Sequence, residues 1–399
     1  MNRSIRDNAQ LKTLALCAML GAGAGWSMAA TAEDDGKKEF TISGIDISGG
    51  ITTVLQGTDG APVNATDLSY SLDLGLETQV SNHGKVVIAL EAGEGLGVDS
   101  TLGSLSTANY DAFYTNLTGA SSDSTNVVVA SVSQAYYEGE YWDNNLVVSI
   151  GKLDIHSMYD ENAYANDETD QFLAAIFVRS AGTSYAELDQ YYAPGVTLQY
   201  AAADSVDLTF IVSNGNQDGY QNVLDYLYLV GQINFKPKLA GRDGNYRLYV
   251  ISDDRYGAYH EINTGKTAAN MVWGASFDQA VSDSVGLFAR YTTQDDGIAE
   301  NVVKSAWSLG TLIEGALWGR GKDTIGIAYG TVMLNDKADP DSALGVSDAG
   351  DESHIEAFYK IGVSEQFTLT ADVQMINNNG GNASADTVTV AGLRGQLNF

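Results

Sequence analysis

One cysteine, Cys17, serves the whole chain, and it lies in an amino-terminal segment that reads as a removable leader. The exported part then has no cysteine, so disulfides and thiol chemistry are excluded for it. A lipoprotein role for Cys17 calls for a small residue before it, and Leu16 stands there instead. Only four prolines occur, Pro62, Pro194, Pro237 and Pro340, and all four are expected in connections, because proline cannot donate to a sheet ladder. The four histidines, His83, His156, His260 and His354, have no metal-ligand spacing, so no metal or cofactor is assigned. The acidic stretch from Asp336 to Glu352 lacks an EF-hand pattern. No G-x-S-x-G elbow is present, and Gly93-Glu94-Gly95-Leu96-Gly97 lacks the spacing of a dinucleotide loop. Beyond the leader no apolar run approaches the roughly twenty residues of a transmembrane helix. Basic residues are scarce too, at 21 Lys+Arg against 51 Asp+Glu, which excludes nucleic acid as a partner. At 44% hydrophobic and 10% aromatic the chain is nonetheless too apolar for acidic disorder.

What is present begins with the leader. Arg3, Arg6 and Lys12 precede an apolar stretch from Leu14 to Leu20, then small residues and Ala30-Thr31-Ala32. This is the layout of a secretory signal peptide over residues 1–32, with cleavage expected before Glu33 and one domain over 33–399. Its removal takes away three bases and one acid, leaving 18 Lys+Arg against 50 Asp+Glu, a net charge of −32.

The exported part alternates with period two. Leu68, Tyr70, Leu72, Leu74 and Leu76 interleave with Ser69, Ser71, Asp73, Gly75 and Glu77. Ile355, Ala357, Tyr359 and Ile361 interleave with Glu356, Phe358, Lys360 and Gly362. Such strands have one apolar and one wet face. About sixteen of them can be counted, from 40–56 at the start through 304–317 to 387–399 at the end. Short connections such as 81–84, 143–144, 204–205 and 364–366 alternate with long ones such as 95–125, 155–194 and 333–353. Alternating short turns and long loops, with an even strand count, predict a transmembrane antiparallel β-barrel, and a Greek-key sandwich has no reason to keep that rhythm. The 22 tyrosines suit interfacial girdles. The chain closes on Phe399 after an amphipathic strand, the signal the outer-membrane assembly machinery reads.

Several stretches resemble the carbohydrate-selective outer-membrane porins of the OprB-like family. They are Gly151-Lys152-Leu153-Asp154 with Asn162, Ala165-Asn166-Asp167-Glu168 and Gln171-Phe172-Leu173; Trp318 through Asp323 with Ile325 through Tyr329; Glu356 through Lys360 with Leu369 through Gln374 and Asn378; and Gly392-Leu393-Arg394 with Phe399. The family often has proline where this chain has Ala371 and Asn379. The resemblance implies a sixteen-stranded channel passing small saccharides by diffusion, with the third external loop folded inward to narrow the pore.

That loop, 155–194, is the longest connection and too long for an idle hairpin loop. It carries Asp160, Glu161, Asp167, Glu168, Asp170, Glu187 and Asp189 against a single Arg179. Tyr159, Tyr164, Tyr185, Tyr191 and Tyr192 are interleaved, and the apolar run Phe172–Val178 is suited to anchor the loop to the wall as one helical turn. Aromatic faces pack on the C–H faces of sugars, and carboxylates accept from their hydroxyls. Solvation of an external loop is the alternative use of these acids. By alternation Arg247, Arg290, Lys360 and Arg394 point inward, where they can set a transverse field across the constriction, pair with neighbouring lumen charges, or do both. The expected function is a passive saccharide channel of the outer membrane, not an enzyme. Its expected partners are lipid, lipopolysaccharide, small saccharides and the assembly machinery, with a homotrimer as the expected assembly. A general cation-preferring porin is the alternative.

Overall fold

A computed structural model of the protein describes residues 40–42, 44–60, 64–112, 129–181, 192–215, 223–254 and 258–399. The expected leader, residues 1–32, lies outside them, as do Pro62, Tyr185, Glu187, Asp189 and Tyr191. Within them sixteen long strands form one antiparallel sheet. The first eight are β1 (Ile45–Asp59), β2 (Thr66–Ser81), β3 (Gly84–Glu94), β4 (Val129–Tyr141), β5 (Leu146–Asp154), β6 (Tyr192–Ala203), β7 (Val206–Asn214) and β8 (Leu227–Phe235). The second eight are β9 (Arg242–Asp253), β10 (Asn270–Ser282), β11 (Val285–Gln294), β12 (Val303–Glu314), β13 (Thr324–Leu334), β14 (Glu352–Gly362), β15 (Phe367–Asn377) and β16 (Val388–Asn398). Each pairs with its sequence neighbours, and β16 pairs back with β1, setting Leu393 opposite Leu55 and Asn398 opposite Gly50. The sheet is therefore closed and leaves no edge for water or another strand to satisfy.

Alternation decides the two faces. Leu55, Leu68, Leu72, Ile355 and Leu393 stand exposed on the outside, whereas Ser71, Glu356, Gln374 and Arg394 point inward and are buried. An exterior of exposed leucine is stable only in hydrocarbon, so the barrel spans a membrane. The compact apolar regions lie between inward side chains and loops folded into the lumen. One joins Leu153, Ile155 and Tyr159 to Tyr228, Tyr249 and Ile251; a second joins Phe172, Ile176 and Phe177 to Phe288, Phe358 and Val332. A third joins Val98, Leu102 and Ala108 to Ile376, Val388 and Val390.

Three details differ from the sequence reading. The expected first strand, 40–56, is broken at Gly44, whose φ of 82° lets Phe40–Ile42 turn back and pair with the start of β1. Pro194 lies inside β6, opposite Lys152, and not in a connection. The pairing of β6 with β7 begins only at Gly195, so the strand behaves as an edge where proline sits. β12 stops at Glu314, not 317, because Gly315–Trp318 forms a 3-10 turn held by the Arg320–Asp323 ion pair. That connection is consequently as long as some on the opposite rim, and the short–long alternation is a tendency.

Candidate functional site

The loop after β5 does not stand out from the rim. Its described part, 155–181, runs across the inner wall from β8 to β16, bonded to each region it passes. Apolar contacts hold it first: the Phe172 ring lies 5.1 Å from Phe358, 5.5 Å from Phe288 and 5.5 Å from Phe177. Phe177 belongs to a single helical turn, Ala175–Val178, whose apolar face meets lumen positions of β13 and β14. Phe288, Val332 and Phe358 are apolar residues on faces that are otherwise wet, and that lapse in the alternation is the sequence signal for a docked loop.

Polar clamps then fix its backbone. Arg290 on β11 donates to the carbonyls of Ala165 and Phe177, both at 2.5 Å, and to that of Asp160 at 2.9 Å, with its Nε 3.3 Å from the Asp160 carboxylate. Arg394 on β16 donates to the carbonyls of Glu168 at 2.7 Å and Gln171 at 2.8 Å. Glu356 on β14 accepts from the N–H groups of Leu173 at 2.6 Å and Ala174 at 2.9 Å. Lys360 meets Asp170 at 2.5 Å, and Arg247 meets Asp278 at 2.7 Å with Glu161 3.9 Å away. All four inward cations are thus placed inside, but each is committed to the loop or to a strand carboxylate. Lys360, Arg247 and Arg290 each meet a carboxylate, whereas Arg394 bonds to main-chain carbonyls of the loop.

The tyrosines divide. Tyr159 is only 1% exposed, with its hydroxyl 2.7 Å from that of Tyr228 and its ring edge-on to Tyr249, so it offers no face to a solute. Tyr192 donates to Glu91 on the inner wall at 2.5 Å. Tyr164 is half-buried over Gly286, where any Cβ would lie 2.1 Å from its ring. It also lines a cavity of about 260 Å³ beneath the loop together with Asp170, Arg242, Asp243, Glu314 and Lys360. Gly286 is therefore required by close approach and not by turn geometry.

The acids divide as well. Asp160 is buried against Arg290 and accepts from Ser180 N at 3.1 Å. Asp167 closes a local turn by accepting from Thr169 N and its hydroxyl, both at 2.8 Å. Glu168 and Arg179 are only half-buried, and Arg179 donates to Asn166 at 2.8 Å. Burial, then the neighbouring Asp167, pushes the Glu168 carboxyl up to about 8. The structure adds a carboxylate that sequence reasoning missed. Asp111, on the loop after β3, reaches the inner wall and accepts from Ser71 at 2.8 Å. Burial pushes it up to about 6. Among the described residues no three His, Cys, Asp or Glu side chains converge as metal ligands.

A closed, leucine-clad barrel with a polar interior and a loop bonded across that interior defines a diffusion channel of the bacterial outer membrane. Residues 57–399 match the profile of the carbohydrate-selective porins, and the chain belongs to that OprB family. Porin B of Pseudomonas aeruginosa is 24% identical over 311 residues, 67% of this chain and 68% of that one. Porin AaxA of Chlamydia pneumoniae is 24% identical over 283 residues, which is 67% of this chain but only 59% of the relative, less than two thirds of its length. In fold, the high-pH structure of Pseudomonas putida OprB is similar at a TM-score of 0.75 and 18% identity, covering 89% of this chain and 94% of that one. The family and the fold are those of channels.

Proposed function

We propose that the chain provides a water-filled path by which small saccharides, monosaccharides above all, diffuse through the outer membrane. One observation carries this reading. The long loop is held to the wall through its backbone and apolar side chains, which leaves Glu168, Arg179 and Tyr164 half-exposed to solutes. A polyol matches that set, with hydroxyls for the charged groups and a C–H face for the ring. Binding must stay weak for release to be fast, and millimolar affinity, about 4 kcal/mol, is the fitting scale. Liposome swelling and planar-bilayer conductance with and without glucose test the reading. Glucose should enter faster than a zwitterionic amino acid of similar size and should reduce ion current; if it does neither, the channel is a general cation-preferring porin. The excess of acids favours that second reading.

Export through cleavage of residues 1–32, recognition of Phe399 by the assembly machinery, contact with lipopolysaccharide and association as a trimer belong to the same proposal. Phe399 exchanges a pair of backbone hydrogen bonds with Gly49, both at 2.9 Å, which sets the last residue on the barrel seam. Cross-linking in mild detergent that yields single chains alone would exclude the trimer.

A further inference from the structure

The loop after β3 is also inside the barrel, and one side chain holds it there. Glu352, the first residue of β14, is fully buried, and no cation among the described residues is bonded to it. Its carboxylate accepts from the backbone N–H groups of Leu105 at 3.1 Å, Ser106 at 2.8 Å and Gly380 at 2.7 Å. It also accepts from the hydroxyls of Ser104 at 2.9 Å and Ser106 at 2.5 Å. Five donor contacts from two separate external loops therefore converge on one carboxylate, three on one oxygen and two on the other, and fill its roughly four acceptor positions with some sharing. The Ser106 hydroxyl lies 2.8 Å from Nδ1 of His354, whose Nε2 is 3.1 Å from Gln374 Oε1, and Gln374 donates to the Ala108 carbonyl at 2.9 Å.

What the clamp holds is closed by its own hydrogen bonds and reaches the long loop. Asp99 accepts from Ala108 N at 2.8 Å and Asn109 N at 2.7 Å, closing residues 99–109 on themselves. Ala175 N then donates to Thr107 O at 3.0 Å, Ile176 N to Ser106 O at 3.3 Å, and Tyr110 N to Leu173 O at 3.0 Å. The two loops are thus joined by backbone bonds, and Asp111 follows immediately, seated on Ser71 of β2.

We propose that Glu352 is a positioning residue that keeps residues 95–112 folded into the lumen as a second wall of the constriction, and that Asp111 on this wall contributes to ion selection. The inference rests on the channel reading above and deepens it. A buried carboxylate bound by neutral donors alone is favourable only while every donor is present, because losing them strands a charge. Docking of the loop and burial of the Glu352 carboxylate therefore support each other. The amide of Glu352→Gln keeps one acceptor oxygen but turns an NH2 group against the two or three donors on the other, weakening the site with little change of volume.

The test uses the full-length channel in a Cys17→Ser, Ala108→Cys background, since Ala108 is fully buried. A membrane-impermeant methanethiosulfonate should label the single introduced thiol slowly in that parent. With Glu352→Gln added, labelling should accelerate by roughly tenfold or more as local opening becomes easier. In the natural background the same change should increase open-channel noise and shift the reversal potential toward lower cation preference. Asp111→Asn should reproduce the shift in potential without the faster labelling. If Glu352→Gln does not assemble, Ser104→Ala combined with Ser106→Ala removes two donors and serves the same comparison. Variants with native β-sheet circular dichroism that label at the parent rate and keep the parent noise and potential would overturn the proposal. Labelling needs no sugar, so failure of glucose to block the parent counts against the saccharide reading alone.

Discussion

Arg394 donates to the main-chain carbonyl of Glu168 at 2.7 Å and leaves the Glu168 carboxylate half-exposed. The guanidinium thus holds the loop by its backbone without neutralising the side chain. Arg290 works alike on the carbonyls of Ala165 and Phe177. Guanidinium is suited to this, since its planar fork reaches two carbonyls at once. The lumen can therefore hold cations on its wall while acids keep the open side.

Removing such a clamp has a calculable consequence. Arg290→Ala takes the cation away from the buried Asp160 carboxylate and leaves three carbonyls without their donor, at an expected cost of about 3 kcal/mol. Hydrogen exchange of the loop amides should speed up accordingly, and single-channel conductance should rise as the loop leaves the wall. Unchanged exchange would show that the phenylalanine cluster alone docks the loop.

Ion selectivity should distinguish paired from unpaired acids. With no sugar present the channel should prefer K⁺ over Cl⁻ modestly, and the preference should fade toward 1 M salt, where screening acts within about 3 Å. At about pH 9, where Glu168 has ionised, Glu168→Gln should lower it more than Asp170→Asn, because Lys360 already offsets Asp170 at 2.5 Å. A reversal potential showing anion preference would remove the acids from the pore.

The pH dependence follows from Glu168, raised from 4.5 to about 8 first by burial and then by Asp167. The folded channel keeps this group protonated over a range in which the unfolded chain ionises it. Its contribution to stability is therefore complete below about 4.5 and is lost as pH rises through about 8. Over the upper part of that window the lumen gains a negative charge, so cation preference should increase from pH 6 to pH 9. Glu168→Gln should flatten this rise, measured by reversal potential across the series.

Sugar block should depend on Tyr164 and not on Tyr159. Tyr164→Ala opens the 260 Å³ cavity beneath the loop and removes the half-exposed ring, so glucose block should weaken while conductance stays equal or increases. Tyr159→Ala should instead destabilise the barrel by about 3–5 kcal/mol, the cost of emptying a buried aromatic site, with altered block only as a by-product. Thermal unfolding of the two variants separates these outcomes.

The amino-acid order by itself determined the barrel. Sixteen strands were legible because apolar or aromatic residues predominate on one parity and polar or charged residues on the other, and a membrane rewards that pattern residue by residue. The boundary shifts at Gly44, Pro194 and Glu314 were not legible, since a backward turn and an ion-paired 3-10 turn are local conformations that alternation does not encode, and an unpaired edge depends on the neighbouring strand. The composition of the 155–194 loop likewise announced acids, rings and one apolar run. Which acid is free and which ring is covered was decided only by tertiary contact. Asp170 is neutralised by a lysine 190 residues away, and Tyr159 is covered by Tyr228 and Tyr249. The role of Glu352 had no local signal at all. Its donors come from loops that meet only after β16 has closed on β1, because closure alone brings the two external loops to the same rim.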